Sequence, residues 1–170
     1  MRILAAVQVI VAGFGNVLRG DDGFGVAVAE RLLEGAVPAG VHVREVGIGG
    51  IHLVQELLDG VDALVVVDAF DVGRPPGTVL VVEPEIVDPR ELDVTARRDS
   101  LADMHYATPQ RALLLAAGLD VVPASTVLVG CQVAEADSYT QGLSPAVAAS
   151  VDVAAAEVRR VVSELGVAWE

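Results

Sequence analysis

Three aspartates and one histidine stand where side chains can do chemistry. Asp21 and Asp22 are neighbours inside GFGNVLRGDDGFG, residues 13–25, a stretch punctuated by five glycines. Asp68 follows the apolar run Ala63–Val67 within VDALVVVDA, residues 61–69, and His105 ends a charged, proline-bearing segment. Carboxylates in these settings bind a metal ion, activate a water or cap a helix start. Capping accounts for one of the adjacent pair, which leaves the other for chemistry. A buried aspartate at a strand end needs a partner or a metal; its other reading is a cap on the following turn.

The surrounding elements decide where these groups meet. Residues 7–12 are almost wholly apolar and read as a buried strand. Val26, Ala29, Leu32 and Leu33 then recur at helical spacing, with Gly35 as the expected C-cap. The glycine-rich stretch is therefore a strand-to-helix turn, the position that carries ligand chemistry in an open α/β sheet. Asp22 follows the first strand and Asp68 ends the third, so both are expected at the C-terminal edge of the sheet.

Further strands are expected at 41–47, 61–69, 78–83 and 125–133. The gap between the third and fourth is too short for a helical crossover, which predicts an antiparallel hairpin between them. Gly49-Gly50 opens a short helix to Asp59, with Ile51, Val54, Leu57 and Leu58 on its apolar side and Gly60 ending it. Residues 85–103 show no period and read as a loop. Thr108 and Pro109 read as N-cap and first residue of a helix ending near Gly118. Ser144-Pro145 begin one long final helix, striped by Val147, Val151, Ala154, Val158, Val161 and Leu165. The expectation is a single domain over 1–170, a three-layer α/β/α sandwich on a five-stranded mixed sheet.

Composition narrows the partners. The chain is 53% hydrophobic but 4% aromatic, which suits a Val/Leu/Ile/Ala core around a mostly parallel sheet. Its formal charge of −13 disfavours nucleic acid and anionic membrane surfaces. No stretch reaches the roughly 18 apolar residues of a membrane span. Cys131 is alone, which points to a reducing, cytoplasmic setting, and its apolar strand context reads as an inert core thiol. Met1-Arg2 and the apolar residues after them faintly resemble a short signal peptide; the run leads directly into the glycine turn and is read as first strand.

A glycine turn also suggests a dinucleotide site. Here Leu18 occupies the place of the third fingerprint glycine, and two carboxylates would repel a pyrophosphate. HExxH, CxxC and GxSxG patterns do not occur. Asp22, Asp68 and His105 make a mixed oxygen and nitrogen set acceptable to Zn, Ni, Fe or Mn, with His105 swinging over the sheet edge from a loop. His42 is expected at the surface of the opposite edge. His52, roughly 160° from the centre of its helix's apolar stripe, is expected to face outward as a reserve candidate.

GFGNVLRGDDGFG resembles the N-terminal signature of the [NiFe]-hydrogenase maturation endopeptidases, G-x-G-N-x-L-x-x-D-[DE]-G-x-G. DALVVVDAFDVGRPPGTV resembles their strand ending in aspartate with a glycine/proline turn, and QGLSPAVAASV the segment leading into their last helix. The resemblance implies strand order 2-1-3-5-4 with strand four antiparallel. It implies an endopeptidase that removes the C-terminal extension of a [NiFe]-hydrogenase large-subunit precursor after nickel insertion. It maps metal contact onto Asp22, Asp68 and His105, nickel being chiefly substrate-borne, with either aspartate available to orient or deprotonate a water. Asp103 departs from the small hydroxyl residue often found two places before the family histidine. Asn16 and Asp21 are read as holding the loop in shape. Two other classes remain: a non-catalytic nickel-binding assembly factor, and a nucleotide-binding α/β protein.

Overall fold

The computed structural model describes residues 6–102, 108–134 and 139–170, with side chains 97 and 100–102 left aside. Five strands form one sheet: β1 (Val9–Phe14), β2 (Val41–Gly47), β3 (Ala63–Phe70), β4 (Val79–Val82) and β5 (Ser125–Gln132). Their order is β2-β1-β3-β5-β4. β1 is parallel to both β2 and β3, β3 to β5, and β4 alone runs antiparallel. Among the described residues six α-helices accompany the sheet: α1 (Phe24–Leu33), α2 (Gly50–Leu57), α3 (Val94–Ala102), α4 (Pro109–Gly118), α5 (Pro145–Ala148) and α6 (Val151–Glu164).

The continuous apolar runs of the central strands follow from burial on both faces. Side chains alternate across a strand. Val9 and Val11 of β1, with Val65 and Val67 of β3, therefore pack under α1, α5 and α6, among Phe24, Leu32, Val147 and Val158. Ile10, Ala12, Leu64 and Val66 face the other way, onto Leu53, Val54 and Leu57 of α2 and Ala112, Leu113 and Ala116 of α4. Two apolar layers thus hold the sheet between them, as a three-layer sandwich requires.

Several local expectations change. β4 is antiparallel but pairs with β5 (Val79↔Cys131 through Val82↔Leu128), so β3 and β4 form no hairpin. β5 lies between them, in parallel register with all eight residues of β3. Residues 94–102, read as loop, are helical, and the Asp93 carboxylate accepts from Ala96 N–H (2.8 Å) across the first turn. The described side chains of α3 are exposed or half-buried, and its sequence, VTARRDSLA, carries no apolar stripe to announce it. In α2, Leu53 joins Val54 and Leu57 in the core while Ile51 and Leu58 are exposed. The final helix is broken at 149–150, where buried Ser150 donates its hydroxyl to the Val147 carbonyl (2.7 Å). Glu34, in right-handed conformation, caps α1 in place of Gly35. Thr108 and Pro109 open α4 as expected, and Cys131 is fully buried, its thiol 3.2 Å from the Ser150 hydroxyl.

The close seat of α1 on the strand ends sets the geometry of the site. A Cβ on Gly25 would overlap the Val67 and Phe14 carbonyl oxygens, and one on Gly13 would overlap the Gly25 carbonyl. Neither neighbour can yield, because both are backbone. Gly25→Ala is therefore expected to destabilise the chain by about 3 kcal/mol or more, measured as a lowered denaturation midpoint in urea. An unchanged midpoint would mean that α1 is free to slide.

Candidate active site

β1 delivers the chain to Gly15, whose φ of +125 lies in the left-handed region; a Cβ there would also strike the Asp22 carbonyl. The chain then folds back through Asn16, whose Oδ1 accepts from Leu18 N–H at 3.0 Å, into a 3₁₀ turn over Gly20–Gly23. This turn presents both aspartates, and their hydrogen bonds separate their roles.

Asp21 is buried and saturated. Its Oδ1 accepts from Ser144 N–H (2.6 Å), and its Oδ2 accepts from Ala134 N–H (2.8 Å) and from the Ser144 hydroxyl (3.0 Å). Gly20 N–H donates to the Thr140 carbonyl (2.7 Å), and the Arg19 guanidinium lies 5.5 Å from the centre of the Tyr139 ring. Asp21 thus joins the β1–α1 turn to the connection after β5, in the structural role expected for it.

Asp22 is only partly buried. Its Oδ2 accepts from Asn16 N–H (3.0 Å), while Oδ1 accepts no hydrogen bond from the described residues. It stands over the ends of β1 and β3, which are paired at Gly13↔Val67. Asp68 is the next residue of β3. Burial pushes the Asp68 carboxyl up to about 7; the Ala69 backbone N–H, donating to it, lowers it, and the nearby Asp22 carboxylate adds a smaller upward push. Facing carboxylates alone predict a rise, but desolvation is the larger cause. The structure therefore brings Asp22 and Asp68 together at the C-terminal edge, between the strands where the sheet changes its winding direction.

His105 lies outside the described residues. α4 precedes β5, which starts opposite Ala63 at the N-terminal edge, so the first turn of α4 lies toward the edge that carries Asp22 and Asp68. Among the described residues no three His, Cys, Asp or Glu side chains form a metal-binding group. His52 is exposed, with Nδ1 3.3 Å from Gln55 Oε1. His42 is exposed on β2, its Nε2 3.1 Å from Gln8 Oε1.

Gln132 was not singled out by its sequence setting. It is buried at the end of β5; its Oε1 accepts from Val72 N–H (2.9 Å) and Arg74 N–H (3.1 Å), and its Nε2 donates to Asp71 Oδ1 (2.9 Å) and the Val133 carbonyl (3.1 Å). One amide thereby fixes the loop that leaves Asp68. The available signal was the same as for Asp68, a polar residue closing an apolar strand.

No helix among the described residues is long and apolar enough to cross a membrane. The family model for HycI, hydrogenase maturation protease, matches residues 26–161. The chain is 36% identical over 161 residues to the hydrogenase expression/formation protein HupD of Rhodobacter capsulatus, covering 94% of this chain and 73% of that protein. The hydrogenase 2 maturation peptidase of Thaumarchaeota archaeon SCGC_AB-539-E09 superposes with a TM-score of 0.66 at 29% identity, over 92% of this chain and 98% of the other. The hydrogenase maturating endopeptidase HybD of E. coli shares the fold, with a TM-score of 0.72 at 24% identity over 95% and 96% of the two chains. The sheet order, the antiparallel β4 and the sequence match agree: the chain belongs to the hydrogenase maturation protease family.

Proposed function

We propose that this chain is the endopeptidase that removes the C-terminal extension of a [NiFe]-hydrogenase large-subunit precursor once nickel has been inserted. Asp22, Asp68 and His105 grip that nickel, which arrives on the substrate. The observation that carries this reading is the division of labour in the aspartate pair. Asp21 is saturated by backbone and hydroxyl donors, while Asp22, close enough to act electrostatically on Asp68, has one oxygen that accepts no hydrogen bond from the described residues. A desolvated carboxylate beside a second one favours a proton or a cation between them. His105 is four residues before Pro109, which at about 3.3–3.6 Å per residue keeps it within roughly 14 Å of the start of α4.

In the gripped complex, nickel polarises the scissile carbonyl. The carboxylate with the weaker hold on the metal orients and deprotonates the attacking water. A carboxyl titrating near 7 suits that exchange. The lone, buried Cys131 is consistent with action in the reducing cytoplasm, where nickel-bearing precursor is met.

The test is to incubate nickel-loaded precursor with the protein and weigh the product. Loss of a C-terminal peptide identifies the protease. An unchanged mass with a stable complex identifies instead a non-catalytic assembly factor. His105→Ala is expected to weaken nickel-dependent capture of precursor at least tenfold, and His52→Ala to leave it unchanged. Equal effects of the two would remove His105 from the site.

A further inference from the structure

The loops that surround Asp22 and Asp68 expose large apolar side chains in a row. Leu18 is 62% exposed on the turn after β1, Ile48 59% in the loop after β2, Ile51 43% in the first turn of α2 just beyond it, and Val72 57% after β3. These loops follow the strand order β2-β1-β3, so the row crosses the sheet edge with the aspartate pair within it. The first two loops are joined by Gly15 N–H donating to the Gly47 carbonyl (3.0 Å), and the third is fixed by Gln132. The side chains therefore project from held backbone.

These three loops themselves carry little acid. The chain has 24 acids against 11 bases, yet across residues 14–20, 47–52 and 69–77 Asp71 is the one acid. Its carboxylate is turned to Gln132 Nε2 and Gly73 N–H. An apolar, acid-poor border next to two carboxylates matches an uncharged or basic, apolar stretch of polypeptide. It would repel neither that stretch nor a cation carried with it.

We propose that Leu18, Ile48, Ile51 and Val72 form the docking collar for the apolar stretch of precursor that flanks the scissile bond. They set substrate affinity and choice, whereas Asp22 and Asp68 act on the metal and the bond. This rests on the protease reading above, because it takes the precursor as the occupant.

The experiment measures precursor binding by interferometry beside cleavage, with nickel-loaded precursor from the same organism. The variants are Leu18→Ser/Ile48→Ser and Val72→Ser. Leu33→Ser and Leu119→Ser, exposed apolar positions at the ends of α1 and α4, are controls. The double variant is expected to raise Kd and KM about tenfold with kcat within twofold, Val72→Ser to raise them about threefold, and the controls to change nothing. All four should melt within a few degrees of wild type. Unchanged Kd and KM in both collar variants would overturn the collar while leaving the protease reading intact. Wild type that binds without cutting, with binding lost in the collar variants, would end the protease reading and keep the collar. Wild type that neither binds nor cuts would end both.

Discussion

Asp68→Asn is expected to abolish precursor cleavage while making the chain more stable at pH 8. The amide keeps the size of the side chain and can still accept from Ala69 N–H, but it offers no negative charge to nickel. The stability gain follows from the carboxyl titrating at about 7 in the folded protein, against an ordinary value of 3.8. The folded state then binds more protons than the unfolded chain between those two values, so stability falls as pH rises through that window. Above pH 7 the wild type carries the whole penalty of the shift, on the order of 4 kcal/mol. The melting temperatures of wild type and Asp68→Asn should nearly coincide near pH 4 and differ by several degrees at pH 8, the variant being higher. An enzyme that stays active with the amide, or a variant that melts lower at pH 8, would separate Asp68 from both the chemistry and the buried charge.

The contrast between Asp21 and Asp22 shows how far a sequence can be read. That one of two adjacent carboxylates is structural follows from capping chemistry. The particular donors, Ala134 and Ser144, are more than a hundred residues away and no local pattern could name them. The central strands were legible because burial on both faces demands unbroken apolar runs, and the family signature fixed their order. The partner of β4 was not legible from loop length. A short connection limits where a strand can go but not which edge it joins, and the four residues of β4 found theirs on β5. α3 escaped because amphipathic periodicity is what marks a helix in sequence, and VTARRDSLA has no such period. Ser150 broke the last helix through a hydroxyl-to-carbonyl bond that leaves the apolar stripe unchanged. The collar residues are hidden for a related reason, since an exposed isoleucine and a buried one look alike in sequence; Ile51 reads as part of an apolar stripe yet is exposed.

The second large effect concerns the metal. If Asp22, Asp68 and His105 read nickel on the substrate, precursor without nickel leaves the two carboxylates facing each other with nothing between them, and the tail is not presented. Protons compete for the same groups. Nickel-dependent capture of precursor should therefore weaken by about tenfold or more per unit as pH falls below 7, where Asp68 takes up its proton. Capture that stays flat from pH 8 to pH 5 would show that Asp68 is not a ligand.

The most direct measurement is intact-mass analysis of one precursor preparation, divided into nickel-loaded and metal-free halves and incubated with wild-type protein. The account predicts that the loaded half loses its C-terminal peptide and the metal-free half keeps its full mass. Cleavage of the metal-free half at the same rate would show that the protein reads the tail and not the nickel.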